Sequence, residues 1–223
     1  MTKGIFFDLY GTLFEYGDMD KAWNRWFQTL YRSLLPFGLT ETEDEISDRC
    51  SDFLSLEEPD DPDPELTVLG KRLKRLCGSL NITIDNESIS HIAELIVSGW
   101  QDECRLDEDA ATVLGELAQT KRLCLISDFD HPPHVYRLLS EHGIDRFFEV
   151  ITVSGDVGCR KPDPAIFRHA LDHTGLDPSE VCYVGDSEVD ILGAQNAGFT
   201  PVLICPLSCE LWFVLIHPRP LLL

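Results

Sequence analysis

GIFFDLYGTL, residues 4–13, is a short apolar run that reaches an acid at Asp8 and turns at Tyr10-Gly11-Thr12. It reads as a buried strand, 4–8, feeding a tight loop. One strand makes no sheet, and its partners appear only after residue 107: LCLIS (123–127), FEVITV (148–153), VCYVGD (181–186) and TPVLI (200–204). Each follows a helical pattern, near 109–120, 133–142, 164–174 and 188–197. Short apolar strands alternating with helices of about this length predict an α/β fold, a parallel sheet covered by helices on both faces.

Between the first strand and the rest, the rhythm is helical. Ala22, Trp23, Trp26, Phe27, Leu30 and Leu34 recur at three- and four-residue spacing, as do Leu66, Leu69, Leu73, Leu76 and Leu80, then Ile89, Ile92, Ile96 and Trp100. Aromatics at that spacing read as core. The Pro-rich stretch 58–64 is a non-helical joint. The first strand needs the later ones, so 15–103 is expected to be a helical insertion, with 1–14 and 104–223 forming the sheet domain. The tail, LWFVLIHPRPLLL (211–223), is expected to form an edge strand or a packing arm.

Composition narrows the partners. The 223 residues carry 18 Lys+Arg against 39 Asp+Glu, a formal charge of −21. So acidic a chain is a poor match for phosphate backbones or anionic membranes, so neither nucleic acid nor membrane is expected as a partner. Residues 41–65 hold twelve carboxylates and one cation, Arg49, and read as a solvated face. The first residues lack the apolar stretch and small-residue site of a secretion signal. The eight cysteines (50, 77, 104, 124, 159, 182, 205, 209) form no CxxC pair. They read as reduced thiols, and Cys205 with Cys209 makes a poor zinc site. A cytoplasmic protein, monomer or homodimer, is expected.

In an open parallel sheet the binding crevice lies outside the carboxyl ends of the strands. Asp8, Ser127-Asp128 and Asp186 stand at such ends, and Lys161 follows the third. Singly, each has an ordinary explanation as a cap, turn former or loop residue. Together, FDLYGTL (7–13), ISD (126–128), Lys161 in RKPDP (160–164) and GDSEVD (185–190) resemble, in order and spacing, the four motifs of the haloacid dehalogenase-like hydrolase superfamily. The resemblance implies a Rossmann-like core with an inserted all-helical cap.

It also implies roles. Asp8 would be the nucleophile, a carboxylate able to form a covalent intermediate that water opens. Lys161 would keep it ionised, while Thr12 and Ser127 offer hydroxyl donors and Gly11 close backbone approach. Asp128 would join Gly11 and Thr12 in binding substrate. Such donors suit a transferring phosphoryl group. Mg²⁺ would be held by Asp8, the Tyr10 carbonyl and Asp186, with Asp190 as ligand or support.

Tyr10 is the departure. The family's phosphatases usually carry a second Asp there to protonate the leaving oxygen, and a phenol with pKa near 10 cannot copy it. Losing a general acid–base typically costs about 10²–10⁴ in rate, roughly 3–5 kcal/mol of barrier. The family's dehalogenases do carry Tyr at this point, but they replace the metal-binding Asp by Ser, whereas this chain keeps Gly185-Asp186-Ser187. Without a cation, Asp186 would weaken Asp8 by like-charge repulsion. The expectation is a Mg²⁺-dependent phosphohydrolase acting on a small phosphorylated metabolite through an aspartyl-phosphate. A metal-free 2-haloacid dehalogenase acting on a small anionic substrate is the alternative, and a catalytically weak binding or regulatory protein is another. His131 and His134, flanking Pro132-Pro133, read as a solvated loop.

Overall fold

The computed structural model describes residues 1–55, 57–204 and 214–215. In chain order its strands are β1 (Gly4–Phe7), β2 (Phe14–Tyr16), β3 (Cys104–Leu106), β4 (Arg122–Ser127), β5 (Val150–Val153), β6 (Val181–Gly185), β7 (Thr200–Leu203) and β8 (Val214–Leu215). The helices are α1 (Met19–Leu34), α2 (Glu43–Cys50), α3 (Val68–Ser79), α4 (Asn86–Gln101), α5 (Ala110–Leu117), α6 (Pro132–Glu141), α7 (Ser154–Val157), α8 (Pro164–Thr174) and α9 (Glu188–Ala197).

The main sheet runs β5-β4-β1-β6-β7-β8, parallel through its first five strands and antiparallel only between β7 and β8. The chain steps outward from β1 on one side and then returns to build the other, so β1 lies at the switch point where a parallel sheet opens a crevice. Register aligns the strand ends there: Phe7 lies opposite both Leu125 and Val184. Val214–Leu215 supply the antiparallel edge, while the rest of the apolar tail lies outside the described residues, as do Cys205 and Cys209.

Phe6, Ile126, Phe167, Tyr183 and Phe199 form the heart of the sheet's core, with Phe167 edge-on to both Tyr183 and Phe199. The two helices nearest the site begin and end on local signals. Asp163 accepts from the Ala165 N–H with Pro164 in the first turn, and Gly175 closes α8 in the left-handed region. Ser187 and Asp190 form a reciprocal capping box on α9, which ends at Gly198.

Contacts divide the chain into two compact units: 1–16 with 105–129 and 135–223, and 17–104 with 130–134. In the second, all four helices start on side-chain caps: Asp18, Thr42, Thr67 and Asp85. Their buried faces follow the apolar spacing, and Trp26 is buried with Trp23 stacked on it at 4.8 Å between ring centroids. Arg25 pairs with Asp102 and Glu103. Residues 57–67 carry no helix or strand, but this joint is not wholly a solvated acidic face. Asp63 accepts from Lys74 and Asn86, and with the Glu65 N–H these contacts hold its carboxyl below the usual range.

The loop after β4 departs from the sequence reading. His131 and His134 are buried, 4% and 1% exposed, not solvated. His131 Nδ1 lies 3.0 Å from Thr67 Oγ1 and its Nε2 3.1 Å from Glu94, while His134 Nε2 is 3.1 Å from Gln101. Asp130 accepts from the Arg72 Nε at 2.8 Å, and its carbonyl accepts from the Leu69 N–H. These partners convert a polar loop into an interior one, because buried imidazoles and carboxylates persist where their hydrogen bonds are met. Among the described residues no helix is long and apolar enough to cross a membrane. The six described cysteines are free thiols, and burial pushes those at 50, 77, 104 and 124 up to about 11 or 12.

Candidate active site

Strand ends and three loops of the first unit bring the acids together. Asp8, one residue past β1, donates its N–H to the Val184 carbonyl on β6 at 2.9 Å, and its side chain is 7% exposed. The chain then folds back tightly, with the Leu13 and Phe14 N–H groups both donating to the Leu9 carbonyl. Gly11 makes that turn at φ +83°, and any Cβ there would lie 2.1 Å from an Asp186 oxygen. Only glycine meets both demands. The loop that carries the first acid is thus pressed directly on the last motif's acid.

Lys161 sits at the centre. Its ammonium donates to Asp8 at 2.6 Å and to Asp190 at 2.7 Å, and its N–H donates to Asp128 at 3.1 Å. Burial alone would lower this lysine's pKa, but Asp8, Asp190 and Asp128 outweigh it and raise the value. Asp190 is fully buried and engaged on both oxygens. One faces Lys161 and the Tyr183 hydroxyl, 3.2 Å away; the other accepts from the Ser187 N–H and hydroxyl. Asp190 therefore holds Lys161 in place and caps α9 with one carboxylate.

The charges do not balance. Asp8, Asp128, Asp186 and Asp190 face the Lys161 ammonium, with the Arg160 guanidinium also acting on Asp128, and burial raises the first three carboxyls, Asp8 to about 7. For Asp8, Lys161 opposes that rise and Asp190 adds to it. Asp8, Asp186 and Asp190 each offer an oxygen within 4.8 Å of the others, a cluster able to hold a metal ion. A hard-oxygen set with excess negative charge is the donor chemistry of Mg²⁺. A second mark of a ligand is Thr12 Oγ1, which is buried without a hydrogen-bond partner among the described residues. Such an orphan costs about 1–3 kcal/mol unless something arrives to meet it.

Ser127 ends β4 with 1% exposure. The loop beyond it is braced by Ser154, whose hydroxyl accepts from the Phe129 N–H at 2.9 Å. Tyr10, 7% exposed, stacks on Phe129 at 5.4 Å and on Tyr16 at 6.3 Å between centroids. The sequence reading missed Tyr183, Ser187 and Ser154 as braces. Tyr183 alone had a visible signal, a lone polar tip within an apolar strand, since a buried Tyr hydroxyl needs a partner.

Residues 2–198 match the profile of the haloacid dehalogenase-like hydrolase family. The chain belongs to this family. It is 35% identical over 94 residues to N-acylneuraminate-9-phosphatase of Rattus norvegicus, covering 42% of this chain and 38% of that protein. It is 31% identical over 96 residues to (S)-2-haloacid dehalogenase 4A of Burkholderia cepacia, covering 43% and 42%. The chain thus spans less than half the length of either relative. Among solved structures, the HAD phosphatase from Thermococcus onnurineus superposes with a TM-score of 0.64 at 22% identity, over 94% of this chain and 89% of that one, a likeness of fold.

Proposed function

We propose that the protein is a Mg²⁺-dependent phosphohydrolase that cleaves a small phosphorylated metabolite through an aspartyl-phosphate on Asp8. The observation that carries this reading is Asp186, whose carboxylate occupies the space a Gly11 side chain would fill, beside Asp8. Two acids so placed favour a cation between them over two bare charges. Asp8, Asp186 and the Tyr10 carbonyl would hold Mg²⁺, which when bound neutralises phosphoryl charge and favours ionised Asp8.

The chain's own residues then do the following. An Asp8 oxygen attacks phosphorus as the bond to the leaving oxygen breaks, and the phosphoryl group passes to the carboxylate. Thr12 Oγ1, orphaned in its buried position, is a donor for a phosphoryl oxygen, and Ser127 is a second. Lys161, fixed by Asp190, stabilises the equatorial charge. Water then opens the acyl phosphate, releasing inorganic phosphate and restoring Asp8. No carboxyl at position 10 supplies the leaving-group proton, so acyl phosphates, phosphoanhydrides and aryl phosphates are the favoured substrates.

A panel of such phosphates, assayed with Mg²⁺ and with EDTA, tests the proposal. Turnover is expected only with metal; metal-independent turnover, or none by folded protein, overturns it. Tyr10 favours a second reading, metal-free dehalogenation, which predicts halide release from 2-chloropropionate in EDTA. Asp186 speaks against it.

Gly11→Ala probes the contact itself. A non-glycine residue at φ +83° is strained by about 1–3 kcal/mol, and the new methyl must push the Asp186 carboxylate away. Denaturant unfolding should show that loss, and Mg²⁺ should no longer raise the variant's melting temperature. Unaltered protection by Mg²⁺ would exclude Asp186 as a ligand.

A further inference from the structure

The helical unit contains a cavity that the chemistry at Asp8 does not use. Its volume is about 200 Å³, and Arg49, Phe53, Glu57, Arg72, Arg75 and Ser79 line it. Three guanidinium groups around one small hollow are unexpected in a chain of net charge −21 with only 18 basic residues. A Lys or Arg placed for solubility has no reason to face two others.

The three differ in kind. Arg72 is buried, 5% exposed, and builds the wall. Its Nε donates to Asp130 at 2.8 Å and one terminal nitrogen donates to the Phe53 and Glu57 carbonyls, at 3.2 and 3.4 Å. That fixes the backbone following α2 against α3. Arg49, in the last turn of α2, and Arg75, one turn beyond Arg72 on α3, are exposed and have no ion pair within 4.0 Å among the described residues. Glu45, one turn back on the same helix as Arg49, is lowered mainly by its hydrogen bonds from Thr42, with Arg49 adding a weaker pull. Two unspent guanidinium groups thus stand over a pocket whose floor is held rigid by a third. Phe53 contributes an apolar surface, and Glu57 is the single carboxylate in the lining.

We propose that this cavity binds a small multivalent oxyanion, a di- or tricarboxylate or a compact phosphate. Arg forks match the geometry of carboxylate and phosphate oxygens, giving paired, charge-assisted hydrogen bonds. The volume is below the roughly 300–1,000 Å³ typical of sites for drug-sized ligands, which limits the occupant to a compact anion. The Ser79 hydroxyl at the end of α3 already donates to the Leu76 carbonyl at 2.7 Å, so the guanidinium groups are the donors the lining offers an anion. The site lies within residues 49–79 and owes nothing to Asp8 or to a bound metal.

Calorimetric titration of the full chain with citrate and, separately, pyrophosphate, both in EDTA, tests the proposal. Saturable binding that weakens with added salt is expected from at least one of them. The double variant Arg49→Gln/Arg75→Gln should weaken it by about tenfold or more, since both substituted residues are exposed and the fold does not depend on them. Glu57→Gln should act in the opposite sense and tighten binding several-fold, because it removes the one carboxylate of the lining. Binding of citrate alone identifies a carboxylate site and of pyrophosphate alone a phosphate site. The proposal is overturned if neither anion binds, if the double variant binds as the wild type does, or if Glu57→Gln weakens the interaction.

Discussion

Replacing Lys161 by methionine is expected to destabilise the chain by about 3–5 kcal/mol at pH 8, because it strips the ammonium from a buried group of carboxylates. Methionine keeps much of the stem's volume, so the loss reports charge more than packing. Its pH dependence follows from two shifts of opposite consequence. Asp8 titrates at about 7 in the folded chain against an ordinary 3.8, because burial outweighs the attraction of Lys161. A raised carboxyl means that the folded state holds more protons across that window, so ionising Asp8 erodes stability as pH rises from about 4 to about 7. Lys161 is also raised, as its three acidic neighbours outweigh burial. Its stabilising contribution is therefore complete below the ordinary lysine range and is lost only as pH climbs through its folded value.

In the methionine variant the acids lose their counter-charge and keep their protons to higher pH. The cost should be small near pH 5, where protonation relieves the repulsion, and large near pH 8. Urea midpoints at the two pH values measure it, and equal losses at both would show that packing, not charge, is Lys161's contribution. The same reasoning gives Mg²⁺ a larger effect on the wild type at pH 8 than at pH 5. At about 100 times its dissociation constant a ligand adds about 2.7 kcal/mol, and it can do so only where its carboxylates are ionised.

The parts of this molecule that were legible in sequence are those specified locally. The bounds of α8 and α9 follow from Asp163-Pro164 and Ser187 at their starts and from Gly175 and Gly198 past their ends. The buried strands announce themselves as short apolar runs, and Asp8, Ser127 and Asp186 fall where the ends of β1, β4 and β6 align, while the loop after β5 brings Lys161 to Asp8. What was not legible depends on partners far along the chain. His131 is buried because Thr67 and Glu94 meet its two nitrogens, and they stand 64 and 37 residues away. Nothing in the local pattern around Pro132-Pro133 distinguishes that from a solvated loop. Asp190 was readable as a carboxylate four residues after Asp186. That its two oxygens also meet Lys161, Tyr183 and Ser187 is a property of packing, which no local pattern announces.

Tyr10→Asp is expected to raise turnover of alkyl phosphates by about 10²–10⁴-fold, by restoring a carboxyl that can protonate the leaving oxygen and then activate water. The gain carries a structural cost. The Tyr10 ring is 7% exposed and stacked on Phe129 and Tyr16, and deleting a buried aromatic side chain costs about 3–5 kcal/mol. Activity must therefore be compared well below the variant's melting temperature. The diagnostic quantity is the slope of log kcat/KM against leaving-group pKa. A site that cannot donate a proton must expel the leaving group as an anion, so the wild type should fall steeply from aryl to alkyl phosphates. A site that can donate one should fall gently, so the two lines should converge at good leaving groups and separate at poor ones. Parallel lines would mean that position 10 does not set the leaving-group proton. Tyr10→Phe separates the two functions of the native side chain. It keeps the stacked ring, so loss of stability but no change in slope would show that the phenol stabilises the loop without entering the chemistry.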